Sequence, residues 1–172
     1  MNQLDQFLTN YAVWESATNW IGAADVELPS FEALTETLKG SGLAGEVNVP
    51  VKGHYGAQTL KINFRTLSPD AVRLSETKAH ALDFRGSQQI FDAGQGIYID
   101  QSVVVKTRCV PINFSPGKFS TGASTETANE FEVHYIKIII GDKVWREFDK
   151  FNFVSIINGV DELATVRKNL GL

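Results

Sequence analysis

Apolar and polar residues alternate with a period of two along most of the chain, the signature of half-buried β-strands. The densest stretch is Phe131 to Ile157, rich in Val, Ile, Tyr, Phe and Trp, residues that suit a pleated surface. It predicts two strands joined at Gly141-Asp142. A strict two-residue loop would set Lys137 opposite Arg146. Counting Lys143 into the loop sets Lys137 opposite Glu147 and Ile139 opposite Trp145, a favoured register because opposite charges then face each other. Ile136, Ile138 and Ile140 share one face; Val133, Tyr135, Ile139 and Trp145 share the other. Apolar residues on both faces imply either a central hairpin covered on both sides within one domain or a face or edge covered by another subunit.

The same pattern predicts strands over Phe7 to Trp14, Ala23 to Leu28 (stopped by Pro29), Leu60 to Leu67 and Ala79 to Gln89; over Phe31 to Leu38, Phe31, Leu34 and Leu38 fit a helical stripe whereas Thr35 and Thr37 favour a strand, and the strand is the favoured reading. In the Leu60 strand, Leu60, Ile62 and Phe64 face one way; in the Ala79 strand, Leu82 and Phe84 do. Ile97 to Val110 alternates most cleanly, with Ile97, Ile99, Val103, Val105 and Cys109 against Tyr98, Asp100, Ser102, Lys106 and Arg108. Its length of roughly 40 Å again hints at a sheet shared between copies. Ser68-Pro69-Asp70 is a helix start, with a capping hydroxyl, Pro in the first turn and an acid at the positive end. It predicts a short helix to about Glu76 that packs Val72 and Leu74. Val160 to Leu170, acidic early, basic late and followed by Gly171, predicts a C-terminal helix with Val160, Leu163, Ala164 and Leu170 on its apolar stripe. Residues Pro111 to Asn129 look like a long loop carrying Phe114, Lys118 and Phe119, either docked on a neighbour or folded back.

Composition narrows the picture. The chain of 172 residues is long enough for a core, and 43% hydrophobic with 21% charged residues is ordinary for a soluble globular protein. These observations predict a mainly β chain forming one domain over residues 1–172. A net charge of −4 gives no basic excess for phosphate neutralisation. The single cysteine, Cys109, excludes an intrachain disulfide. Apolar runs are too short to span a bilayer, and MNQLDQFL lacks signal-peptide features, so the expectation is synthesis in a cytoplasm and no stable membrane anchoring.

Candidate chemistry is sparse. Gly40-Ser-Gly42-Leu-Ala-Gly45 matches GxGxxG, but a strand containing Pro50 follows rather than a helix, so a glycine-rich turn is expected. His54, His80 and His134 have no metal-ligand spacing and are expected on surfaces or strand faces. Cys109 is expected to be a buried, inert thiol. Glu147 and Asp149 share a strand face, but solvated or paired carboxylates are the simpler reading. No hydrolase, metalloprotease or P-loop motif is present. No catalytic, metal or cofactor residues are assigned.

The segment Glu147 to Leu172, EFDKFNFVSIINGVDELATVRKNLGL, resembles the major tail tube proteins of contractile-tailed bacteriophages and R-type bacteriocins. Asp149, Asn152, Asn158-Gly159, Asp161, Arg167, Asn169 and Gly171 carry the resemblance. Lys106-Thr107-Arg108, Lys118, Gly122, Tyr135 and the turn-and-strand Gly40 to Val51 extend it; Met1 to Ile21 match little. The resemblance implies an antiparallel β-sandwich or barrel-like tail tube fold with one short internal helix and a C-terminal helix. It implies hexameric rings stacked into a hollow tube inside a sheath, with no catalytic residues or cofactor. Implied partners are further copies, the sheath, tape-measure, baseplate and terminator proteins, and DNA in the lumen if the particle is a phage. The location would be a virion tail or bacteriocin particle assembled in the host cytoplasm. Candidate subunit contacts are Phe114, Lys118, Phe119, Ile136, Ile138 and Ile140. The competing reading is a monomeric β-sandwich recognition module of a phage tail or adhesin.

Replacing Ile138 by Asp places a charge on an apolar face and is expected to block folding or assembly. Normal particles from that variant would refute the face assignment.

Overall fold

The computed structural model describes residues 3–22 and 25–172. The chain is mainly antiparallel β. Its elements in order are β1 (Gln3–Glu15), β2 (Asn19–Ile21), β3 (Asp25–Glu27), β4 (Ala33–Leu38), β5 (Val47–Tyr55), β6 (Thr59–Phe64), α1 (Pro69–Arg73), β7 (His80–Asp92), β8 (Ile97–Ser115), β9 (Thr127–Ile140), β10 (Lys143–Asp149), β11 (Val154–Ile157), β12 (Val160–Asp161) and α2 (Ala164–Leu170). Of the predicted Ala23 strand, Ala23 and Ala24 lie outside the described residues; Asp25–Glu27 pairs with β6.

Strand β9 is the spine. One edge pairs with β8 along most of its length. The other edge pairs first with β6, from Thr127 to Glu132, and then with β10, from Tyr135 to Ile140. The sheet therefore divides at His134. A register shift against β8 leaves His134 as the extra residue of a bulge, and the Lys150 amide donates to its carbonyl at 3.0 Å. A bulge reverses the in–out alternation beyond it. Phe131 and Val133 before it and Ile136 after it are thus all buried in one core. The expectation that Val133 and Ile136 face opposite ways fails for this reason.

The hairpin turn is the two-residue Gly141-Asp142, with Lys143 already paired to Ile140. Lys137 still faces Glu147, at 3.2 Å, because Trp145 is bulged out of β10 and restores the register. Ile139 consequently faces Val144 rather than Trp145.

Strands β6, β7, β8, β9 and β10 close over a core built from Leu60, Ile62, Leu82, Val105, Phe131 and Phe148, among others. The predicted inward faces of β6 and β7 are observed. Helix α1 plugs one end. Ser68 Oγ accepts from the Ala71 amide at 3.2 Å, and the buried Asn129 Nδ2 donates to the Ala71 carbonyl at 3.0 Å. The helix is shorter than expected. Ala71 and Leu74 are buried, whereas Val72 is 50% exposed.

Strand β8 runs five residues past Val110. Pro111 pairs with Phe131 beside a register shift around Ile112, the kind of irregularity that accepts a residue without an amide donor. The loop is accordingly 116–126, not 111–129. At the C-terminus, Val160 and Asp161 pair with β11, so α2 begins only at Ala164. Of the expected stripe only Leu163, which precedes the helix, is buried.

His80 is not on a surface. It is 2% exposed, with Nδ1 2.8 Å from Glu15 Oε1 and Nε2 3.2 Å from the Glu76 carbonyl. Arg73 Nη1 contacts Glu15 Oε2 at 2.5 Å. The cluster ties β1, α1 and β7 together. Burial pushes the Glu15 carboxyl upward, but the His80 hydrogen bond and the Arg73 and His80 charges leave it below its ordinary value. A folded-state value below the unfolded one adds stability at neutral pH that is lost as pH falls through the folded value. Glu15→Gln is expected to cost about 3 kcal/mol at pH 7 and to flatten the acid limb of stability below about pH 4.5, measured by urea unfolding across pH. An unchanged acid limb would overturn this role for Glu15.

Candidate assembly surfaces

Strands β4 and β5 form a separate two-stranded sheet that pairs with no other strand among the described residues. All of β4 and the first six residues of β5 are exposed, including Leu34, Leu38, Val47 and Val49. The Gly40–Gly45 turn is the tip of this arm, with Gly40 at φ 151 and Gly42 at φ 98. It leads into a strand, so the GxGxxG match is a turn.

The arm is fixed at its root. Phe31, Tyr55 and Phe148 meet edge to face with centroids 5.1 to 6.1 Å apart. The Arg146 guanidinium lies 3.7 Å from the Phe31 centroid and 5.0 Å from that of Tyr55. Aromatic faces attract the cation and lock the hairpin onto β10. A two-stranded hairpin is marginal in water by itself. This one carries apolar side chains on a projecting, uncovered surface, the property of a contact region.

A second open feature is β1. Its residues Gln3 to Thr9 pair with β7 on one side and with no described strand on the other. Leu4, Phe7 and Leu8 are exposed here, and such an edge is a template for another chain.

The expected contact residues divide. Phe119 is 88% exposed at the tip of loop 116–126, beside Lys118, which pairs with Glu126 at 3.1 Å. Phe114 packs partly against the core, as does Ile138. Ile140 is half-buried at the end of β9. Ile136, at 1% exposure, belongs to the chain's own core.

The motif residues form a local framework. Asp149 Oδ1 accepts from the Phe151 and Asn152 amides at 2.9 Å, and Oδ2 accepts from Asn152 Nδ2 at 2.7 Å. That closes the β10–β11 turn. Asn158 and Gly159, at φ 50 and 83, make the next turn, where Lys143 Nζ donates to Asn158 Oδ1 at 2.6 Å. Asp161 pairs with Arg167, and Arg167 Nη1 donates to the Phe153 carbonyl at 2.7 Å. The Arg167 hydrogen bond, with help from the Leu163 amide, holds the Asp161 carboxyl below its usual range. Gly171 ends α2 in the left-handed region.

The remaining candidates are engaged structurally. Glu147 accepts from the Tyr135 hydroxyl at 2.8 Å; burial first, then Glu147, push that hydroxyl up to about 12. Burial raises the Cys109 thiol to about 12, which suits an unreactive residue. His134 rests edge-on against Phe151. Among the described residues, no group of three or more His, Cys, Asp or Glu is placed to hold a metal, and no helix is long and apolar enough to cross a membrane. Sequence reasoning missed the Glu15–Arg73–His80 cluster, whose members lie too far apart in sequence to form a motif. It also missed Arg146, whose partners come from both roots of the arm.

The chain matches the family described as "Phage tail tube protein FII" over residues 5–171 and belongs to it. It is 28% identical over 155 residues, 87% of each chain, to the tail tube protein of Escherichia phage P2. Likenesses among solved structures include a chain of the anti-feeding prophage baseplate, with TM-score 0.42, 11% identity, and coverage of 77% of this chain and 92% of that one. Another is a chain of the sheath/tube terminator of an extracellular contractile injection system, with TM-score 0.43, 14% identity and coverage of 79% and 91%.

Arg167→Ala is expected to speed amide exchange across residues 160–171 while leaving β8 and β9 amides protected. Unchanged exchange there would remove Arg167 from the framework.

Proposed function

We propose that the protein is the self-assembling subunit of the inner tube of a contractile tail. Six copies close into a ring, and rings stack into a hollow tube that conducts DNA in a phage or punctures the target envelope in a bacteriocin. Family membership supports the tube subunit. The observation that carries self-assembly is the uncovered apolar arm together with the unpaired edge of β1. Head-to-tail contacts close a ring when their rotation closes, and ring-on-ring contacts give an open filament. A closed ring of sheets leaves no edge exposed. The reading is structural and non-enzymatic. Glu147 and Asp149, the carboxylate pair considered from the sequence, are bound in a Tyr135 hydrogen bond and a turn. Sheath, baseplate, tape-measure and terminator proteins are the proposed partners, and the virion tail or bacteriocin particle the proposed location.

The purified chain, alone or nucleated by its baseplate, is expected to show stacked rings or tubes with a central channel by negative-stain microscopy. Removing residues 34–52 is expected to leave a folded monomer that forms none. A full-length chain that stays monomeric with baseplate and sheath present would overturn the proposal.

A further inference from the structure

We propose that the arm of one copy adds as a strand to a second copy: the free edge of β4 pairs antiparallel with the free edge of β8 over Ile97 to Ser102. This rests on the self-assembly reading above and names the backbone contact through which the arm acts.

Strand β8 outruns β9. Its pairing with β9 begins at Val103, opposite Ile140, whereas its pairing with β7 continues to Ile97. Ile97 to Ser102 therefore have a strand on one side and none on the other among the described residues. The Gly141 amide donates to the Ser102 carbonyl at 2.8 Å, so the β9–β10 turn closes one end of this notch. The same bond fixes which groups face the notch. In an antiparallel strand the amide and carbonyl of one residue point to the same side, and alternate residues repeat it. With Ser102, the backbone groups of Asp100 and Tyr98 are thus directed into the notch. Those of Ile97, Ile99 and Gln101 are directed toward β7.

Proline, lysine and bulges blunt a sheet edge. This edge has none of them: IYIDQS pairs with β7 without a register shift. The β1 edge, by contrast, is interrupted at Gln6 and Thr9. The arm has one blocked edge and one open edge. Pro50 opposes Thr35 and has no amide to donate, which suits a residue whose nitrogen points away from its partner strand. The pair two residues on agrees. Thr37 Oγ1 donates to Asn48 Oδ1 at 2.8 Å, the close side-chain approach of a non-hydrogen-bonded pair. Pro50 therefore blocks the outer edge of β5. On β4 the amides of Thr35 and Thr37 point outward, where no described strand meets them.

Length, direction and faces select this partner. Strand β4 has six residues, Ala33–Leu38, and spans the notch from end to end. In an antiparallel joint, residues whose backbone groups point outward oppose one another. Laying all of β4 along the notch sets Thr35 opposite Asp100, Thr37 opposite Tyr98 and Leu38 opposite Ile97. The threonines then extend the polar face of β8, and Leu34 and Leu38 extend the face of Ile97 and Ile99. A parallel joint would oppose the threonines to the isoleucines instead. A notch closed at one end by a turn admits a narrow projecting hairpin, whereas a broad sheet edge would strike that turn. The acceptor's own arm stays free for a third copy, so the contact is heterologous and propagates.

The test uses the full chain. Asp100→Pro and Thr37→Pro each remove one outward amide and leave the β7–β8 and β4–β5 ladders their donors. Each is expected to keep a cooperative melt near the wild-type Tm and to raise the protein concentration needed for tube formation at least about tenfold. Thr37→Pro lies on the arm, outside the core, and carries the test if Asp100→Pro does not fold. Opposed residues of a hydrogen-bonded antiparallel pair have Cα atoms about 5.5 Å apart, within reach of a disulfide. The double variant Thr35→Cys/Asp100→Cys, oxidised after assembly, is expected to give a ladder of covalent multimers with a 35–100 bond mapped by mass spectrometry. Thr37→Pro tubes forming at the wild-type concentration, or a 35–100 bond closed within single chains, would overturn the contact while leaving the tube reading intact. A wild-type chain that never assembles would remove the tube reading, and this contact with it.

Discussion

The outer edge of β9 is completed by two different strands, and the place where one hands over to the other shapes the molecule. Strand β6 satisfies the backbone as far as Glu132, and β10 takes over at Tyr135. Between them the chain spends one extra residue, His134, whose carbonyl is met by the Lys150 amide. Without that bulge, Val133 and Ile136 would point to opposite sides. With it, both branches of the sheet turn the same face inward and enclose a single core. An unpaired buried backbone group costs as much as a lost hydrogen bond, so the position of the switch is tightly constrained.

Polar groups fix what the core alone leaves loose. Glu15, Arg73 and His80 join the end of β1 to α1 and the start of β7, and Asn129 ties α1 back to β9. Asp149, Asn158, Asp161 and Arg167 do the same for the short C-terminal elements, which bury little apolar surface themselves. The motif residues therefore work as turn closers and strand-to-helix ties. Their spacing reflects local geometry.

The surface is the other half of the structure. The arm, the β1 edge and the Phe119 loop all carry apolar groups that the fold leaves uncovered, each in a definite orientation. Arg146 stacked on Phe31 and Tyr55 aims the arm, and the Arg65–Thr125 hydrogen bond holds the loop. Uncovered apolar segments held in this way are the kind of surface that suits contact with another chain.

Much of this was legible in the sequence. Period-two alternation located most strands and the inward faces of β6 and β7, Ser68-Pro69 located α1, and the Asp149-to-Gly171 motif pointed to the family. Those features are local: they depend on residue spacing and turn chemistry within a few positions. What the tertiary structure decided was non-local. The bulges at His134 and Trp145 changed which residues face the core and which oppose each other. Pro111 was accommodated within a strand because the register slips beside it. His80 was buried because Glu15, from a strand 65 residues away in sequence, supplies its partner. Alternation records which residues prefer burial, but only the assembled sheet determines where a residue is skipped, and each skip reverses every face beyond it.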